Sequence, residues 1–193
     1  MTWTAERTWV TGELATAAMF NTHLRDSVNH VAPTVFVLPA KAFNTRGTAG
    51  WAEMIPAQQN TDEYELLFDQ TTDEQADIEL HVPAKYGGGN ITLDLWWRST
   101  ATTGTARWEF LTGQAAAGAS YNPALTSRGT AGTATNGTAG NLNKTTITWS
   151  AALPTVDTMM RLRLKRDADG TSGTDDMAAD AALIRAILTL GVA

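Results

Sequence analysis

The chain contains no cysteine and only three histidines in 193 residues. The first absence removes disulfide staples, thiolate metal sites and cysteine nucleophiles. The second leaves His23, His30 and His81 as the whole supply of imidazole bases. Charge is sparse as well: charged residues are 18% of the chain, with 14 Lys+Arg against 20 Asp+Glu, a formal charge of −6 and a pI of about 5.0. An acidic balance opposes the electrostatic term that drives most nucleic-acid binding, and it disfavours anionic membrane surfaces for the same reason. No apolar run approaches the roughly 18 residues of a membrane span. Met1 to Glu6 lacks the basic start and apolar core of a signal peptide, so the expectation is a chain made in the cytoplasm without Sec export and without membrane insertion.

What is present is small and polar. Thr and Ala occur 31 times each and Gly 16 times. Thr favours pleated surface and Gly supplies turns with positive φ, so the composition fits a loop-rich β protein better than a helical one. The length suits one sandwich-sized domain with an appendage.

The N-terminal stretch Thr2 to Val10 carries Trp3 and Trp9 in a polar context without a period and reads as an extended arm. From Thr16, a suitable N-cap, to about Asn29 the pattern is helical. Leu14, Ala17, Asn21, Leu24, Val28 and Val31 fall at spacings of three and four, a heptad-like stripe. The stripe is either an inter-chain seam, with Asn21 as its polar register position, or the inner face of a helix packed on its own domain. Pro33 ends the helix, which sets a boundary between an arm and helix over 1–32 and a β domain over 33–193.

Period-two patterns follow, as half-buried strands require. Val35 to Leu38 starts the series. Tyr64, Leu66 and Phe68 share one face, as do Ile78, Leu80 and Val82. Ile91, Leu93, Leu95 and Trp97 alternate with Thr92, Asp94, Trp96 and Arg98, and the glycine turn Gly87-Gly88-Gly89 precedes them. Ala106, Trp108 and Phe110 form a further inner set. So do Ile147 and Trp149, then Met160, Leu162 and Leu164, and finally Ile184, Ala186, Leu188 and Leu190. Seven or eight such strands without a second helical pattern predict an antiparallel, jelly-roll-like β-sandwich preceded by an N-terminal arm and a short α-helix. The stretch from Thr112 to Gly140 has Arg128 as its one charged residue and is expected to be mostly loop. Gly-Thr-Ala-Gly occurs at Gly47, Gly129 and Gly137, which in so biased a composition reads as drift rather than a repeat.

Few residues offer chemistry. The acidic loop supplies Asp167, Asp169, Asp175 and Asp176, with Asp180 beyond, as oxygen donors for a hard cation such as calcium. The EF-hand spacing is not met, and the alternative is a set of Asx-turns solvating a hairpin tip. His23 and His30 lie seven apart without the i, i+4 spacing of a chelating pair. No nucleophile elbow, P-loop or dinucleotide fingerprint occurs, so neither a catalytic set nor a cofactor is indicated. Seven tryptophans exceed what a core of this size needs. Trp96 and Trp97 are adjacent on a strand and must face opposite ways. The outward one is either a glycan-stacking platform or covered by a neighbouring subunit.

The segment Trp9-Val10-Thr11-Gly12-Glu13 followed by Thr16-Ala17-Ala18-Met19-Phe20-Asn21-Thr22-His23-Leu24-Arg25-Asp26 resembles the N-terminal segment of many tailed-bacteriophage virion proteins. Val82 to Gly89 leading into Ile91 to Trp97 is similar to the β-sandwich of the same proteins. Leu162 to Ala168, Thr174 to Met177 and Asp180-Ala181 resemble its closing hairpin. The resemblance implies a non-enzymatic virion surface protein: a homotrimeric tail fibre or spike, or a head fibre or decoration protein, made in the host cytoplasm. Its partners would be its own copies, other virion proteins and a host surface glycan. Trp3, Trp9, Leu14, Ala17, Phe20, Asn21, Leu24 and Val28 would form the attachment and oligomer contacts. The competing expectation is a carbohydrate-binding β-sandwich module acting through Trp96 or Trp97.

Overall fold

A computed structural model describes residues 16, 33–57 and 60–192. The described residues form ten strands in two antiparallel sheets: β1 (Thr34–Pro39), β2 (Glu53–Ala57), β3 (Asn60–Phe68), β4 (Glu74–His81), β5 (Ile91–Arg98), β6 (Thr105–Ala115), β7 (Thr126–Ala134), β8 (Leu142–Trp149), β9 (Met159–Arg166) and β10 (Ala181–Leu190). A single 3-10 turn covers Ala40–Ala42. The six-stranded sheet runs β2-β3-β10-β5-β8, and β1 also pairs with β10. β3 pairs with Ala181 to Leu183 and β1 with Arg185 to Leu190, so the two share one edge of β10. The four-stranded sheet runs β4-β9-β6-β7. The expected jelly-roll-like sandwich is the observed fold. The expected N-terminal arm and helix lie outside the described residues.

The sheets pack through the alternating sets that the sequence displays. Ile91, Leu93, Leu95 and Trp97 of β5 are fully buried, and so are Ala106, Trp108 and Phe110 of β6 facing them. Each large apolar side chain removed from water contributes about 1.5–3 kcal/mol before conformational entropy is subtracted. Aromatic rings bridge the layers edge to face: Phe68 on Trp108 at 5.0 Å and Phe110 on Trp149 at 5.8 Å between centroids. The Trp97 indole N–H donates to Thr145 Oγ1 at 2.9 Å, and that hydroxyl donates to Thr133 Oγ1 at 2.8 Å, which settles a polar chain inside the core.

Two expectations change. The stretch from Thr112 to Gly140 is not mostly loop, because it holds the end of β6 and all of β7. β7 escapes the period-two test because it has no large apolar residue: Gly129 and Gly132 stand where Ile147 and Thr105 approach, and a Cβ at Gly129 would lie 2.9 Å from Ile147 Cγ2. In β10, a bulge between Leu183 and Arg185 shifts the parity, so Leu183 enters the core and Ile184 does not. Gly-Thr-Ala-Gly has no single structure. At Gly47 and Gly137 it makes a turn with positive φ at both glycines, whereas at Gly129 it lies within β7.

Candidate functional site

On the outer face of the six-stranded sheet, register places side chains in rows across β1, β10, β5 and β8. One row reads Val35, Thr189, Thr92, Thr148. The next is Val37, Ile187, Asp94, Thr146, and the third is Pro39, Arg185, Trp96, Lys144. Trp96 is the outward indole and is half-buried, while Trp97 is enclosed in the core. The Trp96 ring carries the Lys144 ammonium 5.8 Å from its centroid, and Asp94 Oδ2 holds that ammonium at 2.8 Å. The indole therefore presents a cation-dressed surface. Val35 and Val37 are 51% and 58% exposed. Beside this lattice a cavity of about 400 Å³ is lined by Gln70, Ser99, Asp180 and the ion pair of Glu65 with Arg98. The guanidinium donates from Nε at 2.8 Å and from Nη2 at 2.7 Å. That hydrogen bonding to Glu65, more than burial opposes it, raises the Arg98 pKa.

The acidic loop after β9 is organised from inside by a residue that charge alone would place in solvent. Arg166 continues the inward set Met160, Leu162, Leu164 and is 0% exposed. Its five N–H donors are all engaged: Nε and Nη2 on Asp175 at 3.0 and 2.8 Å, Nη1 on the carbonyls of Phe68 and Ala179, Nη2 also on that of Met177. Asp175 also accepts from the Arg107 amide at 2.8 Å, and Asp176 accepts from the Thr105 amide at 2.6 Å. Asp167 is likewise buried and accepts from the Thr171 hydroxyl and the Ser172 amide and hydroxyl. Burial pushes its pKa up, but these hydrogen bonds and then Lys165 outweigh burial and hold it below the usual value. The four aspartates proposed from sequence are thus divided. Asp175 and Asp176 tie strands together, whereas Asp167 and Asp169 meet Asp73, their oxygens lying within 4.8 Å of one another. The Lys165 ammonium sits on that cluster, 2.5 Å from Asp73 and 3.9 Å from Asp167. Asp169 Oδ1 also accepts from the Thr171 amide at 3.0 Å, the contact of an Asx-turn.

The outer face of the four-stranded sheet carries opposite charges in adjacent columns. Glu79 faces Arg161, Asp77 faces Arg163 and Gln75 faces Lys165 across the β4–β9 pairing. Asp77 is wedged between Arg161 and Arg163. Burial raises its pKa, and the hydrogen bonds and charges of the two arginines overcome that and leave it lowered. Arg163 also lies over the Trp51 ring at 5.3 Å, and Arg46 lies over the same ring at 4.7 Å.

At one end of this face a cleft of about 280 Å³ opens between β4, the β6–β7 loop and the start of β9. Its apolar lining comes from Ala115 to Ala117, Ala119, Pro123 and Met159; Glu79, His81, Asp157, Arg161 and Tyr121 bring the polar groups. Gly113 lets the loop lie on the sheet, because a Cβ there would stand 2.7 Å from the Ala124 carbonyl oxygen and 3.0 Å from Pro123 Cγ. The loop is then pinned at its tip. The Tyr121 hydroxyl donates to Glu79 at 2.8 Å, and Asn122 Oδ1 accepts from Arg161 Nη1 at 2.7 Å. The bond to Glu79 and that carboxylate's charge raise the Tyr121 pKa. Yet the ring itself is 77% exposed. His81 Nε2 meets Asp157 Oδ1 at 3.0 Å on the rim.

Sequence reasoning missed Tyr121, although it is the one aromatic residue between Thr112 and Gly140. It missed Arg166 too. Trp3, Trp9, Leu14, Ala17, Phe20, Asn21, Leu24 and Val28 lie outside the described residues.

No protein-family model and no curated protein matches the chain. Solved structures similar to it include the CBM22-1 xylan-binding domain of Paenibacillus barcinonensis Xyn10C, at 12% identity over 84% of this chain and 97% of that one, with a TM-score of 0.49. Another is the CBM36-1 domain of a multidomain xylanase from the hindgut metagenome of Trinervitermes trinervoides (11%, 80% and 96%, TM-score 0.48). The C-terminal CBM6 of LamC from Zobellia galactanivorans is a third (10%, 81% and 99%, TM-score 0.46). The likeness is one of strand arrangement and carries nothing about ligands.

Proposed function

We propose that this chain is a non-enzymatic structural protein of a bacteriophage virion surface, a trimeric fibre, spike or decoration protein. Residues 1–32 attach it, and the sandwich is displayed and contacts a host surface glycan. The reading rests on the residue pattern from Trp9 to Asp26 together with one structural observation. The sandwich closes its own aromatic core, yet it leaves an apolar strip outside: Val35 and Val37 on β1, immediately after the N-terminal segment. Exposed valines side by side next to an attachment segment suit a surface that another protein covers. In light scattering the full chain is expected to run as a trimer, and Leu24→Asp or Val28→Asp to yield monomer or precipitate. An antibody to the chain is expected to decorate intact particles in micrographs. A monomeric, well-folded wild-type chain together with unlabelled particles would sink the proposal.

A second reading, a carbohydrate-binding module independent of any virion, draws on the exposed Tyr121 ring beside a cleft with carboxylate acceptors. Glycan-array binding by the chain with unlabelled particles would select it.

A further inference from the structure

We infer that the cleft at Tyr121 binds a single neutral pyranose ring of a glycan, and that the Trp96 face does not. The inference rests on the glycan-contact part of the proposed function and gives it a site.

Three observations carry it. First, accessible aromatic surface on the described sandwich is concentrated here. Trp97, Trp108 and Trp149 are buried, Trp51 carries Arg46 and Arg163 over its ring, and Trp96 carries Lys144, whereas Tyr121 is 77% exposed with its hydroxyl tethered to Glu79. A ring fixed at one end and bare on its face loses little side-chain freedom when the C–H face of a sugar packs on it. Second, the lining suits an amphipathic ring. Alanines, Pro123 and Met159 form apolar walls, and Glu79, Asp157 and His81 stand at the rim, where carboxylate oxygens accept hydroxyl protons. At about 280 Å³ the cleft falls just under the ~300–1,000 Å³ of sites for drug-sized ligands, so it suits one ring with the rest of the glycan in solvent. Third, the electrostatics select against acidic sugars. Arg161 directs Nε and Nη2 to Asp77 and Nη1 to Asn122, and His81 faces Asp157, so a uronate would meet two carboxylates with the nearest guanidinium already engaged.

The test is titration of the ¹⁵N-labelled full chain with xylotriose, cellotriose, β-1,4-galactotriose, chitotriose and trigalacturonate, followed by amide shifts. At least one neutral trisaccharide is expected to move the signals of Glu79 to His81 and Ala116 to Tyr121. Tyr121→Ala is expected to weaken that binding by about tenfold. Since the ring is exposed, an unchanged melting curve is expected to show the variant folded. Trp96→Ala is expected to leave the affinity unaltered, and trigalacturonate to give no shift. Shifts confined to β5 and β8 and lost in Trp96→Ala would overturn the assignment of the cleft while leaving glycan contact standing. Silence with every sugar would overturn both. Trigalacturonate binding as tightly as the neutral sugars would overturn the neutral-ring assignment.

Discussion

Arg166 shows what one buried charge demands of its surroundings. A guanidinium at 0% exposure is tolerable only if its donors and its charge are both answered, and here Asp175, with 1% side-chain exposure, answers the charge while three carbonyls take the remaining donors. The pair fastens the loop from Asp167 to Asp180 onto the end of β3 and, through the Arg107 amide, onto β6. Removing one member leaves the other buried without compensation, which costs about 3–5 kcal/mol where it has been measured. Asp175→Ala is therefore expected to lower the unfolding free energy measured by chemical denaturation by an amount of that order. The double variant Arg166→Met with Asp175→Ala is expected to recover a good part of it, because no unpaired charge then remains in the core. Equal losses in the single and double variants would show that the pair's charge is not what the core depends on.

At the scale of elements, what could be read in the sequence was whatever a large side chain marks. β5 announces itself because Ile91, Leu93, Leu95 and Trp97 are all enclosed and their neighbours are not. β7 hides because its inward positions, Gly129, Ala131 and Thr133, are too small to mark a face, and the close approach of Ile147 rather than hydrophobicity sets the glycine among them. β10 is legible until the bulge at Ile184, since alternation cannot report an inserted residue. The outward placement of one of the paired tryptophans followed from strand geometry, but which one, and that Lys144 covers it, depended on partners 48 residues away. The cleft was illegible for a similar reason. It joins Glu79, the loop at Tyr121 and Asp157, which only the β4–β9–β6 pairing brings together. Gly113 is the element-level control on it. Gly113→Ala is expected to lift the loop from the sheet, with loss of the Tyr121–Glu79 contact and of sugar-induced shifts, while the core aromatic signals stay in place. Unchanged amide shifts for Ala119 to Asn122 in that variant would refute the role given to the close approach.

The described sandwich has two unlike exteriors on one core. One sheet shows threonines, a valine strip and the Lys144-dressed indole of Trp96; the other shows charge columns ending in a cleft. The second exterior makes stability depend on pH in a direction that can be stated. Asp77 has a lowered folded pKa, and its carboxyl titrates normally once the chain unfolds. The native state therefore binds that proton less readily than the unfolded one. Its stabilising contribution is complete above the ordinary carboxylate range near pH 4 and declines as pH falls towards the folded value. Asp167, also lowered, acts in the same sense. Glu74 acts against them, since burial foremost raises its pKa and the folded state takes its proton first. With Asp69 depressed as well by its hydrogen bonds from Thr71, three lowered carboxyls stand against one raised, and denaturant midpoints are expected to fall between pH 5 and pH 3. Asp77→Asn is expected to start lower at pH 7, because Arg161 and Arg163 then face each other unneutralised, and to lose less on acidification. Parallel midpoint curves for the wild type and this variant would mean that the wedge between the two arginines is not the source of the acid sensitivity.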